Sequence, residues 1–92
     1  MAELTDREIQ DFTHKNPGWS LVQGRLEKTF LFQNFARAIV FVNKIINPIE
    51  EFQSYPVIRI AYNRVLVSLF NQMQGYLTDT ELQMAKEMDS LK

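Results

Sequence analysis

Apolar residues recur along this chain in two rhythms, and the switches between them mark out its elements. Leu4-Thr5-Asp6-Arg7-Glu8-Ile9 combines a hydroxyl N-cap, a Glu three residues on that can reach back to the cap amide, and two apolar residues spaced as a staple. A helix therefore starts at Thr5. It is expected to end by Asn16-Pro17-Gly18, because Pro17 biases Asn16 out of helical geometry and Gly18 weakens a helix. Trp19 to Val22, Gln23-Gly24 and Arg25 to Phe32 read as strand, two-residue turn and strand, Gly24 supplying the positive φ of such a turn. On the second arm Leu26, Phe30 and Phe32 share one face; Lys28 falls on the same face and must snorkel or lie near an edge.

Asn34 caps the next segment, in which Phe35, Ala38, Ile39, Val42, Ile45, Ile46 and Ile49 recur at steps of three and four. Val40 and Phe41 fall off that stripe, so the apolar surface is wider than one core contact requires. Asn47-Pro48-Ile49-Glu50 repeats the logic of a helix start inside this helix, so the helix either breaks or kinks at Pro48. Val57 to Tyr62 and Arg64 to Phe70 read as two further strands around Asn63, which tolerates turn geometry. Both faces of the second are apolar: Val65, Val67 and Leu69 on one, Leu66 and Phe70 with Ser68 on the other. Leu77-Thr78-Asp79-Thr80-Glu81-Leu82 then repeats the cap and staple of the first helix, followed by a stripe of Leu82, Ala85, Met88 and Leu91. The order helix, two strands, helix, two strands, helix predicts an α+β fold in one domain spanning residues 1–92, a four-stranded antiparallel sheet with helices on one face. Leu66 and Phe70 would point to the other face, and burying them against a second copy would contribute on the order of 1.5–3 kcal/mol each. They are the candidate oligomer interface.

Composition narrows the function classes. Ten Lys and Arg against eleven Asp and Glu give a formal charge of −1, too little positive field to hold nucleic acid or an anionic membrane. With no Cys and one His, a His/Cys metal site cannot be built, and no cofactor is indicated. The acidic, polar start MAELTDREIQ lacks the apolar run of a signal peptide and the Arg/Ser bias of a transit peptide, so a cytoplasmic location is expected. His14, Glu81, Lys86 and Glu87 are read as solvated, Met88 as core, and Met73 and Met84 as core or adaptable surface.

Trp19, the run Leu26 to Ala38 (LEKTFLFQNFARA), Glu50, Pro56, Tyr62-Asn63, Gly75, Leu77-Thr78 and Asp89 together resemble the pterin-4a-carbinolamine dehydratase family over nearly the whole chain. The resemblance implies the same element order, assembly as dimers or tetramers, and an active site built from a Glu, a His-His-Pro run and a third His after the last strand. Here the Glu is Glu50 and the Pro is Pro56, but the His positions hold Ser54, Tyr55 and Gln72. Dehydrating a carbinolamine requires a proton delivered to the leaving hydroxyl and one removed from nitrogen, and none of the three replacements changes charge near neutral pH as imidazole does. The resemblance with its imidazoles missing implies a protein that is not an enzyme. It is similar in this loss to a branch of the family that includes Rubisco assembly factors of α-carboxysome gene clusters, with Rubisco subunits as client and Tyr55, Arg59, Tyr62 and Gln72 as candidate contacts. The alternative is a dehydratase with a degraded site, using Glu50 and Tyr55, or a pterin-binding protein without turnover.

Overall fold

Both Thr-x-x-Glu signals start a helix where the sequence places it, although at the second the Thr78 hydroxyl donates to the Glu81 carboxylate instead of accepting from Glu81 N. In a computed structural model that describes residues 2–92, Thr5 Oγ1 accepts from Glu8 N (3.1 Å) and Glu8 Oε1 from Thr5 N (3.0 Å), opening α1 (Asp6–Lys15). β1 (Ser20–Val22) and β2 (Arg25–Leu31) follow as a hairpin whose two turn residues, Gln23 and Gly24, both have positive φ (51° and 79°). That is the turn whose twist matches a right-twisted strand pair. α2 (Phe35–Phe52) is capped by Asn34, whose side-chain oxygen accepts from Arg37 N at 2.9 Å. β3 (Val57–Ala61), β4 (Arg64–Leu69) and α3 (Asp79–Leu91) complete the order.

The four strands form one antiparallel sheet in the order β1-β2-β4-β3, so the two hairpins meet through β2 and β4, with Leu26 opposite Leu69 and Phe30 opposite Val65. Leu26, Phe30, Val65, Val67 and Leu69 share one face of the sheet. They form the core with Ile9 and Phe12 of α1, Ala38, Phe41 and Ile45 of α2, and Met84, Ala85 and Met88 of α3. Strand alternation turns Arg25, Glu27, Arg59, Leu66 and Ser68 to the opposite face. Leu66 and Phe70 are partly buried there, Phe70 beneath the Arg25 guanidinium at 5.3 Å.

Three local readings need correction, and one open alternative is decided. Of a break or a kink at Pro48 the break is excluded: α2 runs through Pro48, which is buried. Core packing fixes a proline that the local sequence would place at a helix start. Phe41, off the counted stripe, is buried between Phe30 and Phe32, whose ring centres lie 4.6 and 5.1 Å away, whereas Phe35 and Ile46, on it, are about half exposed. In the β3–β4 turn the positive φ (53°) belongs to Tyr62; Asn63 instead donates its side-chain amide to Phe32 O at 3.0 Å. Finally Glu81 is not on a wet face. It is fully buried.

Lys28, an apparent misfit on a core-facing position, is accommodated near the edge. Its ammonium donates to Asp89 Oδ1 at 2.7 Å and lies 4.8 Å from the centre of the Phe30 ring, while Asp89 Oδ2 accepts from Trp19 Nε1 at 3.0 Å. Among the described residues no helix is long and apolar enough to cross a membrane.

Candidate functional site

The antiparallel pairing of β3 and β4 dictates which connections become neighbours. Val57, at the start of β3, pairs with Ser68, near the end of β4, so the segment entering β3 and the segment leaving β4 lie at the same end of the sheet. The entering segment begins at Gln53, whose left-handed backbone (φ 53°) terminates α2. Pro56 then biases Tyr55 toward extended backbone. The leaving segment turns at Asn71 to Gly75: Asn71 O accepts from Gly75 N (2.8 Å), Asn71 Oδ1 accepts from Gln74 N (3.1 Å), and Gly75 carries a positive φ (82°).

Between these segments opens a cleft of about 330 Å³, lined by Gln53, Ser54, Tyr55, Asn71, Gln72 and Met73. That size lies at the lower end of ordinary small-molecule sites. Tyr55 and Met73 are exposed at its rim and Ser54 is buried at its floor. The three positions that the sequence singles out as former imidazole sites, Ser54, Tyr55 and Gln72, are therefore brought together. Glu50 and Pro56 do not line the cleft; Glu50 is exposed on the last turn of α2. Arg59 and Tyr62 are not brought there either. Arg59 lies on the outer face of the sheet beside Val57 and Leu66, and Tyr62, 70 % exposed, is in the distant β3–β4 turn.

Behind the floor is a group that sequence reasoning missed. Glu81 Oε2 accepts from Ser54 Oγ at 2.8 Å, and its Oε1 accepts from Thr78 N and Thr78 Oγ1, each at 2.8 Å. The lining itself is neutral: three amides, a hydroxyl, a phenol and a thioether, with a carboxylate one residue deeper. Such a lining suits a flat, uncharged heterocycle with several donors and acceptors better than a phosphate, which calls for positive charge. Among the described residues no group of three or more His, Cys, Asp or Glu is placed to hold a metal ion.

Comparison with known proteins fits this architecture. Residues 2–91 match the family model described as pterin 4 alpha carbinolamine dehydratase. A relative from Sulfurisphaera tokodaii is 38% identical over 91 residues, covering 99% of this chain and 98% of its own. One from a Picosynechococcus species is 41% identical over 90 residues, covering 98% of each. Both carry the name "Putative pterin-4-alpha-carbinolamine dehydratase". Among solved structures, a transcriptional coactivator/pterin dehydratase from Brucella melitensis superposes with a TM-score of 0.91 at 26% identity, covering 98% of both chains. A pterin dehydratase-like protein identified as a RuBisCO assembly factor in the alpha-carboxysome gives 0.68 at 23% identity, over 85% of this chain and 93% of its own, a likeness of fold.

The expectation that the chain is not an enzyme is overturned by these relatives, whose names point to dehydratases. With the imidazoles missing, Glu50 is the one acid–base group visible in the sequence and Glu81 reads as a solvated charge, whereas the Glu81 carboxylate is buried and hydrogen-bonded to Ser54. On the evidence of the family model and of both relatives, this chain belongs to the pterin 4 alpha carbinolamine dehydratase family.

Proposed function

We propose that the cleft between Gln53–Tyr55 and Asn71–Met73 takes a pterin carbinolamine and promotes its dehydration. The observation that carries this reading is the convergence of Ser54, Tyr55 and Gln72 on one neutral cleft backed by a buried carboxylate. In the reaction the ring nitrogen loses a proton, the C–O bond breaks, a C=N bond forms, and the hydroxyl leaves as water after taking up a proton. The Tyr55 phenol and the Gln72 amide are hydrogen-bond donors for the departing oxygen, Ser54 with the carboxylate behind it holds the ring at the floor, and the proton of the reacting nitrogen passes to water at the open rim. Positioned acid–base groups contribute about 10²–10⁴ in rate per role, so turnover is expected to be slower than with imidazoles in place. The test is the rate of loss of a 4a-hydroxytetrahydropterin with and without protein. Acceleration over buffer, reduced on the order of 10²-fold in Tyr55→Phe, is expected; a rate equal to buffer at saturating protein rejects the reading.

A second reading, protein binding with Rubisco subunits as client, draws support from the exposed edge strand β3, where Val57 and Ile60 are 44% and 40% exposed between Tyr55 and Tyr62. An unpaired strand edge with apolar side chains is a template for another chain. Tyr55, Arg59, Tyr62 and Gln72 are the contacts this reading assigns. Coexpression with Rubisco subunits should raise the yield of assembled enzyme, and an unchanged yield with no copurification removes this client. Self-association as a dimer is compatible with either reading.

A further inference from the structure

The two Thr-x-x-Glu signals of this chain use the same residue types in opposite surroundings. Glu8 caps α1 while exposed to water, but Glu81, in the same relation to Thr78, is fully buried. Helix capping therefore does not require the burial. A carboxylate withdrawn from water loses hydration that only close donors replace, and among the described residues no cation forms an ion pair with it. One of its oxygens serves Thr78; the other is spent entirely on Ser54, the floor of the cleft.

This arrangement has a direction. A carboxylate only accepts, so the single proton of Ser54 Oγ is committed to Glu81 Oε2, and toward anything that enters the cleft Ser54 can only accept in turn. We propose that Ser54 and Glu81 form a one-way recognition pair that selects a ring presenting an N–H donor to the cleft floor, the 2-amino group if the ring is a pterin. Ser54 makes the contact and Glu81 is the positioning residue. The inference rests on the pterin reading above and adds the orientation of the ring. A pterin carries its side chain on the pyrazine half, which must remain at the open rim beside Tyr55 and Met73. The opposite, aminopyrimidine edge is then the one that reaches Ser54.

The pair can be reversed without changing its shape. In Glu81→Gln the amide oxygen stays with the Thr78 N–H, which can only donate, so the NH₂ group faces Ser54 and donates to it. Ser54 is then left to donate into the cleft. The experiment compares binding of a pterin with that of the matching lumazine, which has an oxo group in place of the 2-amino group, by fluorescence titration. The native chain is expected to prefer the pterin about tenfold or more, a loss of one buried hydrogen bond. Ser54→Ala should bring the two affinities level, Glu81→Gln should move the preference toward the lumazine, and Glu8→Gln should leave it as in the native chain. Equal affinities in the native chain, or an unchanged preference in Glu81→Gln with pterin still bound, overturn the pair while leaving the pterin reading standing. Binding of neither ring to the native chain overturns both. Should Glu81→Gln fail to fold, Ser54→Ala decides: a native preference there rejects the proposal.

Discussion

Asp89 shows how a single side chain of α3 ties β2 and the α1–β1 connection to one edge of the core. One oxygen takes the Lys28 ammonium at 2.7 Å and the other the Trp19 indole N–H at 3.0 Å, with Lys28 and Asp89 side chains only 20% and 28% exposed. Asp89→Ala removes both contacts and leaves Trp19 Nε1 and a cation without their partner, so a loss of about 2 kcal/mol is expected. Urea denaturation should show a lower midpoint at unchanged slope; a midpoint within error of the native chain contradicts it. Gly18 belongs to the same cluster: its φ is +103° and an added Cβ would meet Lys28 Cε at 3.0 Å, so Gly18→Ala is expected to destabilise by more than about 1 kcal/mol in the same assay. Lys28 was legible as a position needing an edge, because strand parity alone put it on the core face. Glu81 was not legible. The letters around Thr5–Glu8 and Thr78–Glu81 are alike, and what sets the second apart is burial and a contact with Ser54, 27 positions away.

At the scale of elements, local signals held where capping and turn chemistry decided the outcome and failed where packing did. The starts of α1, α2 and α3 and the Gln23-Gly24 hairpin follow from side chains within four residues. α2 is different, because apolar residues on most of its circumference offer several registers, and only contact with Phe30 and Phe32 makes Phe41 a core residue. Continuity through Pro48 likewise depends on tertiary contacts that a local reading does not contain. The two Thr-x-x-Glu signals allow a matched prediction. Thr5→Ala, at an exposed box, should cost about 1 kcal/mol. Thr78→Ala should cost more, about 2 kcal/mol, because Thr78 is fully buried and its loss strips a donor from a buried carboxylate. Thermal unfolding of the two variants side by side checks the order; equal shifts would mean that the burial of Glu81 has no energetic consequence.

On the whole molecule, the helices cover one face of the sheet and are themselves incompletely covered. Phe35, Ile39, Val42 and Ile46 recur along α2 at steps of four, three and four, forming a second apolar stripe beside the one that enters the core, with Phe35 and Ile46 51% and 48% exposed. Returning a half-exposed Phe or Ile from water contributes about 1 kcal/mol, and a two-fold pairing of α2 with its copy counts every such residue twice. We therefore expect self-association through α2, a surface separate from Leu66 and Phe70 on the sheet's far face. Light scattering at micromolar concentration should give a mass that is a multiple of 10.8 kDa. Ile46→Glu places a charge in the stripe and should return the mass to that of one chain with helical content unchanged. A native chain already monomeric under these conditions, or an Ile46→Glu variant that keeps its assembly, rules out pairing along this stripe. The Ser54–Glu81 contact lies within one protomer, so the monomeric variant is expected to discriminate pterin from lumazine as the native chain does, and the two surfaces can be tested independently.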